Sequence, residues 1–302
     1  MIQDLVDSLL YQPNTQWVVL STMLLGIASG VLGCFALLKK QSLIGDAVAH
    51  AALPGICIAY LLTGEKQLLV LLLGATATGL LATYLIQLIT ATTRIKKDAA
   101  ICMVLSVFFG TGIVLLSRIT QQAEGNKSGL DHFIFGQAAA MTRHDVYTMA
   151  GVAAGLIFIS CLLFKEWKLL IFDTDFARNS GLPIGLLETL FSTLLVMTVV
   201  IGIQAVGVIL MAALLIIPAI SARFWTDRLG WMVVISGAIG AASGVAGALI
   251  STIRTGLATG PLIVVTAASF FAVSFIFGRK RSLVQKLTAH RIHTERVKEE
   301  SV

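Results

Sequence analysis

Two ionisable side chains, Asp46 and His50, lie four residues apart inside an otherwise apolar stretch of the chain. In an α-helix four residues turn through about 400°, so the two side chains would share one face, about one turn apart. A carboxylate and an imidazole placed in this way can bind a divalent transition-metal ion. Because two ligands do not complete a coordination shell, a metal site would need a second pair from a symmetric or pseudo-symmetric partner chain. The alternative is a structural hydrogen bond between the two side chains.

The residues after this pair bear on the shape of its helix. Pro54 and Gly55 come about one turn after His50. Proline removes a backbone donor and clashes with the preceding turn, so it kinks or breaks a helix. Broken helices beside polar groups are typical of transport sites in membranes. The sequence therefore favours a cation site on a permeation path, with a helix kink at Pro54 and Gly55.

The composition places these residues in a membrane protein. Of the 302 residues, 57% are apolar and only 13% are charged, and the mean hydropathy is +0.89. Soluble domains contain about 25% charged residues. The charge is confined to short segments between long apolar stretches, which is the pattern of a polytopic helical membrane protein. The net charge of +6 therefore indicates topology rather than binding to nucleic acid.

No motif in the sequence indicates an enzyme. The chain has no phosphate-binding loop, no Gly-x-Ser-x-Gly elbow and no His-Glu-x-x-His zinc motif. It also lacks the array of buried acids that a proton relay would need, since Glu188 is the only other acid inside a predicted span. The four cysteines lie scattered in apolar stretches, which is typical of small buried side chains. We therefore expect a chain that does not hydrolyse nucleotide itself, is not an enzyme in its own right and holds no permanent cofactor.

Apolar segments of membrane-spanning length define the architecture. Residues 186–222 form one apolar run of 37 residues. A single helix of that length would be about 55 Å long, well beyond a hydrocarbon core of about 30 Å. We therefore divide the run near Gln204, with Gly202 and Gly207 beside the turn. The sequence then predicts an all-α protein with nine transmembrane helices (eight if the run is unbroken), at 17–38, 43–62, 67–91, 99–117, 146–164, 186–203, 205–222, 231–252 and 260–278.

The positive-inside rule supports this division. With nine spans and a cytosolic C-terminus, the N-terminus lies outside, and thirteen lysines and arginines fall in the inner loops against five on the outer side. Eight spans would put the basic residues of the first two inner loops on the side opposite to the C-terminal ones. In the nine-span topology Asp46 lies near the cytosolic end of its helix and His50 lies deeper.

Four segments lie before, between or after these spans. Residues 1–16 predict a short amphipathic helix on the membrane surface, with a frayed terminus as the alternative, and residues 281–302 form a basic cytosolic tail. The spans between them, residues 17–280, form one transmembrane permease domain. The outer connection 118–145 predicts a partly re-entrant segment, and the inner connection 165–185 a short amphipathic cytosolic helix. Loop contacts or solvation, rather than metal binding, are expected for four further histidines, His132, His144, His290 and His293.

Glycines recur at the spacing that lets helices approach closely. Pairs four residues apart occur at Gly26 and Gly30 and at Gly240 and Gly244. Small residues at this spacing allow two helix backbones to come into contact. We therefore expect tight helix packing at these positions rather than the lining of a pore.

Several motifs taken together resemble one protein family. From about residue 15 to 280 the chain is similar to the membrane permeases of the manganese, zinc and iron ABC importers that work with a cluster A-I binding protein. The motifs that carry this resemblance are Gly45-Asp46-Ala-Val-Ala-His50-Ala-Ala-Leu-Pro54-Gly55, Asp98-Ala-Ala-Ile101, Leu130-Asp-His-Phe133, Phe135-Gly136, Phe172-Asp173, Phe176-Ala-Arg178, Gly181-Leu-Pro183, Gln204-Ala-Val-Gly207, Ala213-Leu-Leu-Ile-Ile-Pro218-Ala219, Thr226-Asp-Arg228 and Thr259-Gly-Pro261.

The resemblance implies a fold and a set of partners. The fold would be that of the type II ABC importers for vitamin B12 and siderophores, with one N-terminal span fewer. Two permeases, identical or paralogous, would form a dimer around a central pathway. A cytosolic ATP-binding subunit and an extracytoplasmic metal-binding lipoprotein would be the other partners. The resemblance carries Asp46 and His50 over as metal ligands, and a coupling helix at about 173–183 as the contact with the ATP-binding subunit, with Asp173, Asp175, Phe176, Ala177, Arg178, Gly181 and Pro183.

Two residues of the coupling segment depart from the family pattern. Thr174 stands where the family often has proline, and Asp175 stands where glutamate is common. Both changes are mild, and docking on the ATP-binding subunit is expected to survive them.

We therefore expect a multi-pass permease in the cell membrane of a bacterium, acting in ATP-driven import of Mn²⁺, with Zn²⁺ or Fe²⁺ as alternative cargo. Two other classes stay open at this point. One is a secondary metal transporter that uses an ion gradient, and the other is a membrane scaffold that transports nothing. The missing proton relay and the coupling segment favour the ABC permease.

Overall fold

The computed structural model describes residues 13–64, 67–122, 143–253 and 258–280. Within these ranges every regular element is a helix, which confirms the all-α class. In chain order the helices are α1 (Pro13–Leu38), α2 (Ser42–Thr63), α3 (Leu68–Thr92), α4 (Lys97–Gln122), α5 (Arg143–Leu162), α6 (Phe164–Phe172), α7 (Thr174–Asn179), α8 (Ile184–Val206), α9 (Val208–Arg223), α10 (Leu229–Ile253) and α11 (Thr259–Phe277).

Eight of these helices are long and apolar enough to cross a membrane. α9 is also apolar, but it is shorter than these eight. With 16 residues, α9 is about 24 Å long. It nevertheless runs between the two ends of the bundle. Val206, just before α9, packs against Gly260 at the start of α11, whereas Phe224, just after α9, packs against Gly278 beyond the end of α11. Of the nine full spans expected, the described residues contain eight at full length, and the remaining one is the shorter apolar helix α9.

The division of the 186–222 run lies at Gly207, one of the two glycines expected beside the turn. Gly207 has φ 96° and ψ 161°, a backbone conformation that a residue with a Cβ rarely adopts. The chain can therefore reverse there and begin α9 at once.

The seam between α1 and α10 is formed by backbone against backbone. A Cβ on Gly26 would collide with the carbonyl of Gly240, and a Cβ on Gly240 would collide with that of Gly26. Gly30 lies equally close to the backbone of Ser236, whose hydroxyl donates to the Gly30 carbonyl at 2.8 Å. Gly244 approaches α1 in the same way. The tight packing expected from the glycine spacing is confirmed.

Basic residues lie mainly at one end of the bundle. The ends of α1, α6 and α9 and the start of α10 meet there, around a cavity lined by Leu38, Phe172, Arg223 and Leu229. Of the fourteen lysines and arginines in the described ranges, twelve lie at this end, and only Arg118 and Arg143 lie near the other. We refer to the end that holds these twelve residues as the basic end.

Three of the expected segments lie wholly or mostly outside the described residues. These are the amphipathic segment 1–16, of which only residues 13–16 are described as part of α1, the centre of the outer connection at 123–142, and the tail 281–302. The surface helix, the re-entrant segment and the solvated tail therefore stay predictions, as do the domain boundaries.

Candidate metal site and coupling segment

Asp46 and His50 lie on one face of α2, as their spacing predicts. His50 Nε2 is 3.6 Å from Asp46 Oδ1, which is too long for a hydrogen bond. On the single chain, 19% of the His50 side chain and 40% of the Asp46 side chain are exposed. The Nδ1 atom of His50 is buried and has no hydrogen-bond partner among the described residues. The geometry does not show the structural hydrogen bond between the two side chains, and it leaves both available to a ligand.

Phe109 of α4 packs against the His50 ring. The two rings meet edge to face, with their centroids 4.8 Å apart and an interplanar angle of 77°. α4 comes close to α2 because Gly112 lies against it: a Cβ on Gly112 would be 3.0 Å from side-chain atoms of Leu53 and Pro54. The small residue at Gly112 therefore allows the position of Phe109, about one turn earlier, beside the imidazole.

The pair lies in the half of α2 next to the basic end. α2 has 22 residues, a length of about 33 Å, with Asp46 about 6 Å and His50 about 12 Å from its first residue. The imidazole is thus within about 5 Å of the middle of the helix, and the carboxylate lies one turn nearer the basic end.

Pro54 does not interrupt the helix. α2 runs without a break from Ser42 to Thr63, and the kink at Pro54 and Gly55 stays a prediction. Because proline has no backbone N–H, the carbonyl of His50 loses its intrahelical donor. On another side of α2, Gly55 lies directly against the carbonyl of Gly74 in α3, where no side chain could fit. Pro54 therefore removes one intrahelical hydrogen bond at His50, and Gly55 provides a close helix crossing.

Among the described residues, Asp46 and His50 have no third histidine, cysteine, aspartate or glutamate beside them. Within the described ranges no group of three or more histidine, cysteine, aspartate or glutamate side chains is placed to hold a metal ion. One chain thus brings two side-chain ligands to this face of α2, which is fewer than transition-metal ions take in tetrahedral or octahedral sites.

The inner connection forms two helices where one was expected. α6 ends at Phe172 and α7 begins at Thr174, because Asp173 between them caps α7: its Oδ1 accepts a hydrogen bond from the Phe176 N–H at 2.9 Å. Ala177 is fully buried against the protein. Asp175, Phe176 and Arg178 are exposed. The segment thus presents an aromatic ring and charges of both signs to its surroundings.

Gly181 and Pro183 connect α7 to α8. Gly181 has φ 78°, in the left-handed region that favours glycine. The following Leu182 N–H donates to the Ala177 carbonyl at 3.2 Å, and Pro183 immediately precedes α8. Gly181 and Pro183 therefore determine the direction in which the chain leaves α7 and enters α8.

Trp167 anchors α6 in the bundle, a role that the sequence alone did not reveal. Its side chain is 1% exposed. Its ring lies edge to face with Phe35 of α1, at a centroid distance of 5.3 Å, and with Phe191 of α8, at 5.5 Å. These contacts fasten the helix that precedes α7 to both α1 and α8.

Lys39 and Glu188 form an ion pair that sequence reasoning also missed. Lys39 Nζ is 3.2 Å from Glu188 Oε1, with the lysine side chain 11% exposed and the glutamate 49%. The same ammonium lies 5.2 Å from the centroid of Phe191. Glu188 was noticed only as an isolated acid, because its partner is 149 positions away. A lysine at the end of one span and an acid near the start of another was the available signal.

Residues 11–278 match the ABC 3 transport family. The chain belongs to this family. It is 55% identical over 277 residues, 92% of its own length, to the manganese transport system membrane protein MntC of Bacillus subtilis, and it spans 64% of the length of that protein. It is 43% identical to the zinc transport system membrane protein TroC of Treponema pallidum, over 91% of this chain and 93% of the relative.

A solved structure has the same fold. The chain is similar to PsaBC from Streptococcus pneumoniae in complex with Fab, with a TM-score of 0.83 and 33% identity, over 94% of this chain and 99% of that one. The family membership predicted from the motifs is confirmed, and so is the prediction of an ABC importer permease fold. The chain is a multi-pass membrane subunit of an ABC transporter.

Proposed function

We propose that this chain is the permease subunit of an ATP-driven importer of a divalent transition metal, with Mn²⁺ as cargo and Asp46 and His50 as its ligands on the path. The observation that carries this proposal is a half-exposed carboxylate and an imidazole without a hydrogen bond, on one face of a membrane-spanning helix. Ionisable groups at that depth are costly and face a cavity or a partner.

The exposure of Asp46 supports a dimer around the pathway. On the single chain the carboxylate is 40% exposed at a level that lies inside the span. Contact with lipid would be unfavourable there, so a second permease or a water-filled path must cover it. A second copy, or a paralogue, would also bring another carboxylate and imidazole and so provide four side-chain ligands.

The choice of Mn²⁺ rests on the donor atoms and on the relatives. Carboxylate oxygen suits Mn²⁺, and imidazole nitrogen suits Zn²⁺ and iron as well. The relative at 55% identity is named for manganese and the relative at 43% for zinc. We therefore propose Mn²⁺ first, with Zn²⁺ or Fe²⁺ as the alternatives.

The basic end is proposed to face the cytosol. It carries twelve of the fourteen lysines and arginines of the described ranges, and cytosolic loops are enriched in these residues. The N-terminus would then be outside, where a metal-binding lipoprotein would deliver the ion. The exposed residues of α7 and its flanks, from Asp173 to Pro183, would dock on an ATP-binding subunit.

Transport would follow from this arrangement in three steps. Metal released at the outer end enters the pathway and binds briefly to Asp46 and His50 of the two permeases. ATP-driven closure of the ATP-binding subunits shifts α7, and the pathway closes on one side and opens on the other. The ligands replace the hydration shell of the ion, yet few enough of them bind it that the ion can leave.

Uptake of ⁵⁴Mn²⁺ tests the proposal. Cells that depend on this transporter would carry Asp46→Asn or His50→Gln, with the amount of permease in the membrane matched by immunoblot. We expect uptake to fall at least about tenfold, because removing a ligand or its orientation weakens metal sites by about 10–100-fold. Asp145→Asn in α5 is the control, because it removes a carboxylate at the opposite end of the bundle. Unchanged uptake in both ligand variants would refute the metal site.

The same preparation separates the two rival classes. A secondary transporter would keep taking up metal when ATP hydrolysis by the partner subunit is blocked. A scaffold would show altered amounts of protein but unchanged uptake per molecule in the Asp46 and His50 variants. We expect neither result.

A further inference from the structure

We propose that the Lys39–Glu188 ion pair is the link through which displacement of the coupling segment reaches the metal-binding helix. Lys39 and Glu188 would act as positioning residues for transport without touching the ion. This inference rests on the proposed function, because it assumes that an ATP-binding subunit displaces α7 and that α2 holds the metal.

The pair is built as a fixed contact rather than a chance encounter of surface charges. The Lys39 ammonium has Glu188 at 3.2 Å and the Phe191 ring at 5.2 Å, and the lysine side chain is 11% exposed. Phe191 is itself held edge to face by Trp167 of α6. Lys97 at the start of α4 is also close enough to interact electrostatically with both Lys39 and Glu188. Four separate segments of the chain therefore meet at this pair.

The pair lies between the two functional segments. Glu188 is in the second turn of α8 and follows Pro183 by five residues. On the other side, Lys39 ends the segment that leads into α2, and Asp46 follows it by seven residues. A movement of α7 would thus reach Glu188 along a few residues of chain and cross to Lys39 through the ion pair. From Lys39 it would reach Asp46 along seven residues of chain.

The turn after Lys39 connects α1 to α2 through its own hydrogen bonds. Lys40 has φ 55°, which is uncommon for a residue with a Cβ. The Gln41 N–H donates to the Ala36 carbonyl at 2.8 Å, and the Ile44 N–H donates to the Gln41 carbonyl at 3.0 Å. The turn is therefore hydrogen-bonded to α1 on one side and to α2 on the other, and a shift of Lys39 must move the start of α2.

The test uses the permease together with its ATP-binding subunit in proteoliposomes. Lys39→Glu, Glu188→Lys and the exchanged double variant would be compared with Arg94→Glu, a charge reversal at an exposed residue of the basic end that lies outside the proposed link. We measure Mn²⁺ transported per ATP hydrolysed, and Mn²⁺ binding at equilibrium without nucleotide. A coupling between sites typically changes the coupled quantity by about 5–150-fold, so each single reversal is expected to lower transport per ATP by about tenfold, with Mn²⁺ binding retained.

The exchanged double variant distinguishes a link from a purely structural contact. We expect it to restore transport per ATP, because the ion pair forms again in reverse. Normal transport per ATP in both single variants would overturn the inference, and so would a double variant that is monodisperse but uncoupled. If the single reversals fail to assemble, Glu188→Gln and Lys39→Met provide the same comparison without a reversed charge. Loss of Mn²⁺ binding in Asp46→Asn is scored separately, so failure of the metal site and failure of the link give different results.

Discussion

The rings of Phe109 and His50 pack edge to face, with a centroid distance of 4.8 Å and an interplanar angle of 77°. The contact joins α4 to the one histidine of α2. It restricts the rotation of the imidazole on one side, while Nε2 stays on the side of Asp46. The orientation of the proposed ligand therefore depends on a ring from a neighbouring helix.

Replacing that ring should weaken metal capture. We expect Phe109→Ala to raise the KM for Mn²⁺ uptake by about tenfold, because residues that orient a ligand contribute about 10–100-fold to metal affinity. The maximal rate should change little, since both ligands are still present. Val107→Ala, at an exposed position of the same helix, is the control. A KM equal to that of the unaltered protein would show that Phe109 does not orient His50.

The close crossing of α2 and α3 should tolerate no added methyl group. Gly55→Ala places a Cβ into the carbonyl of Gly74, and overpacking of this kind costs about 1–3 kcal/mol. We expect a lower midpoint of thermal unfolding for the purified permease in detergent. The matched control is Gly151→Ala in α5, where a Cβ meets no atom within 4 Å. Equal midpoints for the two variants would contradict the crossing.

The turn after α7 should be needed for coupling. Gly181→Ala forces a residue with a Cβ into φ 78°, at a cost of about 1–2 kcal/mol. The turn is expected to relax and to displace α7, so that ATP hydrolysis continues with less metal transported per ATP. Gly185→Ala serves as the control, because this glycine lies in α8 with open space around it. Normal coupling in Gly181→Ala would remove the support for the 173–183 segment as the docking site.

The orientation of the chain can be read by labelling single cysteines. Arg228→Cys at the basic end and Arg143→Cys at the other end would be introduced after replacement of the exposed Cys102 and Cys161 by serine. A membrane-impermeant maleimide should label residue 143 in intact cells and residue 228 only after permeabilisation. The reverse pattern would show that the basic end faces outwards.

Local patterns in the sequence predicted much of this fold. They could not predict contacts between segments that are far apart in the chain. The break at Gly207 followed from the length of the apolar run and from a glycine, both of which are local. The glycine seam of α1 and α10 followed from spacing alone. The length of α9 was overestimated, because hydropathy does not show where helical dihedral angles begin after a reversal.

The same distinction between local patterns and long-range contacts applies to the candidate site. Asp46 and His50 share a helix face, which spacing can predict, whereas Phe109 reaches His50 from another helix. Trp167 lay in a segment that was correctly expected to be amphipathic, but periodicity does not name the rings against which it packs. Lys39 and Glu188 could be seen as charges at the ends of two spans, and only the folded chain brings them together.

The seam between α1 and α10 also limits which parts of the subunit can move. The backbones of Gly26 and Gly240 touch with no room for a side chain between them, so the two helices could slide past each other only by separating. By the same reasoning α2 is joined to α3, because Gly55 lies against the carbonyl of Gly74. The proposed link through Lys39 therefore predicts that α2 and α3 move together, with the α1–α10 pair as the support against which they move.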